Sequence, residues 1–145
     1  MVHRLSEILE EKGRFVHTID ADASVYEAVE RMVELNVGSL LVTAGGAIAG
    51  IVTERDYLRR VTLEGQTDRD TPVREIMSAP LVVATPETTI DECMALMTDR
   101  RIRHVPIVGE DGDVVGMVSI GDLVKFQSKQ QAFEIQYLTD YITAR

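Results

Sequence analysis

The chain has 145 residues, of which 45% are hydrophobic and 27% charged, and its formal net charge is −9 at pH 7. This composition is typical of a soluble globular protein, and the acidic balance argues against a general nucleic-acid binder. Cys93 is the single cysteine, so an intrachain disulfide is impossible and a reducing cytoplasmic location is expected. No apolar run approaches the about 18 residues of a membrane span, and we expect neither a signal peptide nor membrane binding.

The predicted elements begin with a helix, Leu5–Lys12, that ends at Gly13, a residue suited to a left-handed cap. A short apolar strand, Phe15–Ile19, follows. Ser24 and Glu27 then show the spacing of a capping box, in which side chains bond the first amides of a helix. The helix that starts there carries one apolar face, formed by Val25, Ala28, Val29, Met32 and Val33.

Two strands and a second helix complete the first half. The strands are Leu40–Val42 and Ile48–Val52, with a glycine turn between them. The second helix is predicted to begin at Thr53. The polar stretch Gly65–Thr71 then predicts a linker.

The second half repeats this order at a distance of 65 or 66 residues. Thr71 and Pro72 predict the N-cap and first residue of a short helical turn through Met77, which is the counterpart of the N-terminal helix. The repeated elements are a strand Leu81–Thr85, a helix after Thr89 with its apolar face at Ile90, Cys93, Met94 and Met97, strands Val105–Val108 and Val114–Val118, and a helix from Ser119.

The predicted fold class is α+β, similar to an α/β sandwich, with two β-α-β-β-α motifs packed as a pseudo-twofold pair. The expected domains are 1–64 (N-terminal helix and first motif), 65–72 (linker), 73–125 (second motif) and 126–145 (C-terminal helix extension).

The last helix departs from the repeat because its pattern continues past Lys125 toward Ile142. It carries an aromatic stripe at helical spacing, Phe133, Tyr137 and Tyr141. Two interpretations stay open at this point. The stripe either packs on its own domain or forms a partner surface, where aromatic residues are favoured.

The pattern Gly-h-h-[Ser/Thr]-x-x-Asp, in which h is hydrophobic, occurs twice in register and ends at Asp56 and Asp122. Thr53 and Ser119 fall at helix N-caps, where free amides favour an anion. A carboxylate one turn later can accept two hydrogen bonds from a ribose cis-diol. The pattern therefore points to a ribonucleotide site, although a plain capping pair has the same residues.

Basic residues near these motifs supply candidate phosphate contacts. Arg55 lies in the first turn of its helix, where the dipole opposes a cation by about 0.3–1 kcal/mol unless a phosphate is bound. Arg103 and His104 precede a strand of the second repeat. The first repeat has Gly38 and Ser39 there, which predicts two unequal sites.

Together these residues resemble a CBS-domain pair, the tandem cystathionine-β-synthase module, and in particular small stand-alone bacterial proteins. The resemblance spans about Leu5–Val124. It is carried by the segments Asn36–Val42, Gly50–Asp56, Glu75–Met77, Arg101–Val108 and Gly116–Asp122.

The resemblance implies two clefts between the motifs, each able to bind AMP, ADP, ATP, NAD(H) or S-adenosylmethionine. It implies that Asp56 and Asp122 hold ribose and that their hydroxyl partners help with phosphate. It further implies adenine pockets lined by Val16 and His17 at the Asp122 site and by Leu81, Val82 and Val83 at the Asp56 site. A homodimer is the usual assembly of such proteins.

The sequence does not favour an enzyme. Its three histidines lack metal-ligand spacing, no metal is predicted, and Cys93 lies on an apolar helix face. We therefore expect a non-catalytic module that binds adenine nucleotides and signals to an effector protein by conformational change. The alternative is a structural or interaction module with vestigial clefts. A weaker third hypothesis is binding of single-stranded RNA or a divalent ion.

Overall fold

The structure, a computed structural model, describes residues 2–79 and 81–143. These residues form two compact units. The first-repeat unit is Val16–Val82, and the second-repeat unit combines the described parts of Met1–Phe15 and Val83–Arg145. The N-terminal helix therefore belongs to the same unit as the second repeat, although it precedes the first repeat in the chain.

The elements follow the β-α-β-β-α order in both repeats, except that the second repeat lacks its first strand. In chain order they are α1 (Leu5–Lys12), β1 (Thr18–Asp20), α2 (Val25–Leu35), β2 (Ser39–Ala44), β3 (Ala47–Thr53), α3 (Glu54–Tyr57), a π-helix (Leu58–Leu63), a 3₁₀ helix (Val73–Glu75), α4 (Ile90–Arg100), β4 (His104–Val108), β5 (Val114–Ser119) and α5 (Ile120–Thr143). The mixed α+β class predicted from the sequence is confirmed.

The first-repeat unit is built on a three-stranded sheet in the order β1-β2-β3. Strand β1 is parallel to β2, and β2 is antiparallel to β3. One face of α2 packs on this sheet through the buried residues Val25, Ala28 and Met32. Val33 was predicted on the same face, but it is 75% exposed because it lies at the edge of the apolar stripe.

The two predicted opening strands differ from the structure. In the first repeat, the strand covers Thr18–Asp20 rather than Phe15–Ile19. In the second repeat, Leu81–Thr85 forms no strand, and only a parallel bridge joins Ala84 to Ile107. The ladder stops there because the next rung needs an amide donor from Pro106, which proline lacks. In the first repeat the same rung exists, since the Leu41 amide donates to the His17 carbonyl at 3.0 Å.

Helix α1 is fixed to the second repeat by backbone bonds and apolar packing. The Leu5 amide donates to the Thr88 carbonyl at 2.9 Å, and the Ile90 amide donates to the His3 carbonyl at 3.0 Å. The inner face of α1 joins the core of this unit, which includes Leu5, Ile8, Leu9, Val105, Ile107, Leu123 and Phe126.

The 3₁₀ helix takes the equivalent place in the first-repeat unit. The Val25 amide donates to the Thr71 carbonyl at 2.9 Å, and the Val73 amide donates to the Ala23 carbonyl at 2.8 Å. Thr71 is buried, so the end of the predicted linker is packed into this unit. Pro72 is the N-cap of the 3₁₀ helix rather than its first helical residue.

Helix ends follow the sequence signals with two differences. Thr89 and Glu92 form a full capping box, whereas Ser24 accepts from the Glu27 amide with no reciprocal bond. Gly13 ends α1 at φ 95° and ψ 170°, which is a positive φ outside the left-handed helical region.

Candidate functional site

The glycine that opens each Gly-h-h-[Ser/Thr]-x-x-Asp motif lies in close contact with another segment of its unit. A Cβ at Gly50 would lie 2.7 Å from the Ser78 carbonyl oxygen, and one at Gly116 would lie 2.5 Å from Leu9 Cδ2. In each unit a segment outside the repeated strands therefore lies directly against the motif strand, Met77 and Ser78 in the first-repeat unit and Leu9 of α1 in the second-repeat unit. The approach brings the C-terminal end of α1 to the motif that ends at Asp122.

Thr53 and Asp56 form a reciprocal cap where β3 runs into α3. The Thr53 amide donates to Asp56 Oδ2 at 2.9 Å, and the Thr53 hydroxyl donates to the same oxygen at 3.1 Å. The Asp56 amide donates to Thr53 Oγ1 at 3.3 Å. Asp56 is buried, and its nearest cation is Arg59, at 3.8 Å from Oδ1. This geometry satisfies the helix end, and it leaves Oδ1 as the less occupied oxygen.

Ser119 and Asp122 repeat this cap where β5 runs into α5. The Ser119 amide donates to Asp122 Oδ2 at 2.9 Å, and the Asp122 amide donates to Ser119 Oγ at 3.1 Å. A third group is added here that has no counterpart at Asp56. Lys12 Nζ donates to Asp122 Oδ2 at 2.6 Å and to the Met117 carbonyl at 2.8 Å.

The electrostatic balance at Asp122 favours the carboxylate. Burial alone would raise the pKa of Asp122, but the hydrogen bonds from Lys12 and the Ser119 amide outweigh it and lower the pKa below its ordinary value. The carboxylate is therefore ionised at neutral pH and suited to accept hydrogen bonds from a diol.

Strand pairing brings the other candidates of each repeat beside the caps. Ser39 pairs with Thr53 across β2 and β3, and His104 pairs with Ser119 across β4 and β5. The carbonyl of Gly38 accepts from the Glu54 amide at 3.1 Å.

The second repeat uses the same backbone bond, because the Ile120 amide donates to the Arg103 carbonyl at 2.8 Å. Two of the first three amides of each helix are thus already bonded within the chain. None of these bonds uses the amide between them, at Arg55 or Gly121, which is the donor left for an anion. The anion-binding capacity of each terminus is smaller than the sequence alone suggests.

The two predicted phosphate-binding arginines are exposed. Within residues 2–79 and 81–143, neither the Arg55 nor the Arg103 guanidinium forms a hydrogen bond or ion pair. Arg55 follows the Thr53 cap by two residues, and the Arg103 carbonyl accepts from the Ile120 amide beside Ser119. Their contact with a phosphate stays a prediction.

The predicted adenine-pocket residues are distributed between the units. Val16 and His17 belong to the first-repeat unit, as do Leu81 and Val82, whereas Val83 belongs to the second-repeat unit. All are partly buried except Val83, which is 41% exposed. Their role in ligand binding stays a prediction.

Lys12 is the site residue that the sequence did not suggest. It lies 110 residues before Asp122, within a helix that reads as an ordinary amphipathic segment. The available signal was the symmetry of the repeat, since a segment that precedes one repeat packs with the other.

Cys93 is buried in the core of the second-repeat unit, and burial raises the pKa of its thiol to about 11. A thiol with so high a pKa is a poor nucleophile at neutral pH.

Among the described residues no group of three or more His, Cys, Asp or Glu side chains is arranged to hold a metal ion. In the same part of the chain no helix has the length and apolar character needed to cross a membrane.

The long C-terminal helix is confirmed over Ile120–Thr143, and it carries the aromatic stripe on an open face. Phe133 is 73% exposed, Tyr137 is 67% exposed and Tyr141 is 59% exposed. Of the two interpretations, burial of the stripe on its own domain is not what the structure shows. Further exposed apolar residues on this part of α5 are Ile135, Leu138 and Ile142.

Comparisons with known proteins agree with this architecture. The model of the CBS domain family matches residues 6–63 and 73–129. The CBS domain-containing protein CBSX3, mitochondrial, of Arabidopsis thaliana is 41% identical over 147 residues, covering 95% of this chain and 71% of the relative.

Solved structures share the fold. A protein with CBS domains from Burkholderia ambifaria is 45% identical with a TM-score of 0.80, covering 84% of this chain and 91% of that chain. A CBS domain pair in complex with 5′-methylthioadenosine and S-adenosyl-L-methionine is 21% identical with a TM-score of 0.77, covering 90% and 99%.

Proposed function

Because the chain belongs to the CBS-domain family and carries two copies of the domain, we propose that it is a non-catalytic regulatory module for adenosine-containing ligands. The ligands proposed are AMP, ADP, ATP or NAD(H). Asp56 and Asp122 hold the ribose hydroxyls, and Thr53 and Ser119 orient these carboxylates. A ligand that binds one conformation better than another shifts the population toward it, and an effector protein responds to that shift.

One observation carries the proposal: the same hydrogen-bonded cap occurs in both units, each time directly after the Gly-h-h segment of a strand. The amides of Thr53 and Ser119 each donate to the aspartate Oδ2 at 2.9 Å. In both cases these bonds go to Oδ2, and Oδ1 is the less occupied oxygen. The adenosine ligands of the distantly similar domain pair support this choice of ligand class.

The α4 cap provides an internal control. Thr89 and Glu92 form the same reciprocal bonds, at 3.1 and 3.0 Å, but they follow no Gly-h-h strand. A capping role alone therefore predicts equal effects for Glu92→Gln and for the two motif aspartates. A ribose-binding role predicts that only the aspartate variants alter ligand binding.

A thermal-shift panel tests the proposal with AMP, ADP, ATP, NAD⁺, NADH and S-adenosylmethionine. A ligand at 100-fold its Kd stabilises the folded state by about 2.7 kcal/mol, which corresponds to a Tm increase of about 5–10 °C. We expect at least one ligand to raise the Tm, the Asp56→Asn/Asp122→Asn double variant to lose this increase, and Glu92→Gln to keep it. The absence of any increase with all six ligands refutes the proposal.

We also propose a homodimer that uses the C-terminal part of α5. Residues 127–143 carry only one base and two acids, although the chain as a whole has a net charge of −9. Two acidic copies can therefore approach along this segment with little local repulsion. Its exposed aromatic and aliphatic side chains supply the apolar area that a dimer buries.

The alternative function, an interaction module without ligand, is favoured by the same exposed helix. The two functions differ in what the aspartate variants do. An interaction module keeps its assembly and its partner binding when Asp56 and Asp122 are replaced by asparagine.

We also propose a cytoplasmic location, which rests on the single cysteine. Cell fractionation tests it, since the plant relative is named mitochondrial.

A further inference from the structure

We propose that Lys12 is a specificity-determining residue of the Asp122 site, which it makes selective for phosphorylated nucleotides over neutral nucleosides. This inference rests on the proposed function and concerns the second-repeat unit alone. It follows from the bonds of Lys12, from the surrounding charges and from the contrast with the Asp56 site.

Lys12 occupies the carboxylate that the ribose is proposed to bind. Asp122 Oδ2 accepts from Lys12 Nζ at 2.6 Å and from the Ser119 amide at 2.9 Å. These two donors use both lone pairs of the oxygen. A diol that engages both carboxylate oxygens therefore has to displace Lys12 from Oδ2.

The Asp56 site has no such lysine. The second acceptor position of Asp56 Oδ2 is used by the Thr53 hydroxyl of the same cap. The carbonyl equivalent to that of Met117 belongs to Ile51, and it accepts from the Ser78 amide at 2.8 Å. A backbone amide thus takes the place that Lys12 Nζ takes in the other unit, so Lys12 is not part of the repeated motif.

The surroundings of Lys12 are positively charged in an acidic chain. A cavity of about 160 Å³ lies beside α1 and the start of α5, lined by Ile8, Glu11, Lys12, Asp122, Lys125, Phe126 and Lys129. All three lysines of the sequence line this cavity. Glu11 lies 3.4 Å from Lys129, and Lys125 forms no ion pair with any residue that the structure describes.

These charges determine which ligand can replace the Lys12–Asp122 pair. Lys12 is 39% exposed and Asp122 is 25% exposed, so part of the pair is shielded from water. A neutral nucleoside that binds Asp122 breaks the hydrogen bond from Lys12 and supplies no anion to the Lys12 ammonium group. A nucleotide supplies a phosphate that Lys12 and Lys125 can bind. The phosphate therefore offsets the ion pair that the ribose displaces.

The test measures AMP and adenosine binding by isothermal titration calorimetry in an Asp56→Asn background, so that the Asp122 site is the one observed. We expect AMP to bind about tenfold more tightly than adenosine, the effect of one charge-assisted hydrogen bond. Lys12→Met should tighten adenosine binding, weaken AMP binding and bring the ratio of the two Kd values close to one. Lys12→Gln should act in the same way, which covers the case that one variant folds poorly.

Arg100→Met is the matched control, because it removes one positive charge from the same unit outside the cavity. It should leave the ratio of Kd values unchanged. An unchanged ratio in both Lys12 variants, with both ligands still bound, overturns the role of Lys12 and leaves the proposed function intact. Binding of neither ligand to any variant or to the parent protein overturns both.

Discussion

Replacing Gly50 by alanine should destabilise the protein more than the same change at Gly116. A Cβ at Gly50 would lie 2.7 Å from the Ser78 carbonyl oxygen, which accepts from the Ile51 amide at 3.1 Å. The backbone has to move, and this bond weakens. A Cβ at Gly116 would lie 2.5 Å from Leu9 Cδ2, the end of a flexible side chain that can rotate away.

The magnitudes follow from these contacts. Overpacking destabilises by about 1–3 kcal/mol, and a weakened hydrogen bond adds about 0.5–1.5 kcal/mol at Gly50. Alanine is favoured over glycine inside a strand by about 0.5–1 kcal/mol. Both glycines lie in strands without positive φ, so this gain applies to both. We therefore expect losses of about 2.5 kcal/mol for Gly50→Ala and about 1 kcal/mol for Gly116→Ala.

Urea unfolding followed by circular dichroism measures this difference. With an m value of about 2 kcal/mol per M, the two midpoints should differ by about 0.75 M, with Gly50→Ala the lower. Equal midpoints, or a lower midpoint for Gly116→Ala, would refute the reasoning that backbone contact is harder to relieve than side-chain contact.

Three further outcomes are expected. Because the pKa of Asp122 is lowered in the folded chain, its carboxylate stabilises the protein above about pH 4, and this contribution is lost as the pH falls through the folded-state pKa. Lys12→Met should therefore lose less stability than the wild type on acidification, and parallel pH profiles would contradict this. The thiol of Cys93 should resist iodoacetamide at pH 8 in the folded protein and react on unfolding, because burial raises its pKa to about 11; rapid labelling of folded protein argues against it. Phe133→Glu with Tyr137→Glu should reduce the mass from sedimentation from dimer to monomer, whereas an unchanged mass places the dimer contact elsewhere.

The sequence was sufficient to predict most elements because their signals are local. The apolar periodicity of α2 and α4 and their caps at Ser24 and Thr89 depend on residues a few positions apart. The absence of a strand at Leu81–Thr85 has its cause in the partner strand instead. Pro106 has no amide hydrogen to donate in the next backbone hydrogen bond of the pair. Apolar composition does not show which donors a partner lacks.

The candidate site shows the same division between local and distant information. The caps at Asp56 and Asp122 were predictable, since each depends on four consecutive residues. The Lys12 contact depends on which repeat α1 packs against, and its partner lies 110 residues away. Likewise, the Glu54 and Ile120 amides donate to Gly38 and Arg103, which lie just before β2 and β4 and far from these helices in the sequence, so the sequence overestimates the donors left for an anion.

Calorimetric titration of AMP into the wild type, Asp56→Asn, Asp122→Asn and the double variant tests the central claim most directly. We predict that each single variant removes part of the binding, that the double variant removes all of it, and that Glu92→Gln binds like the wild type. A double variant that binds AMP as the wild type does would show that these aspartates only cap their helices.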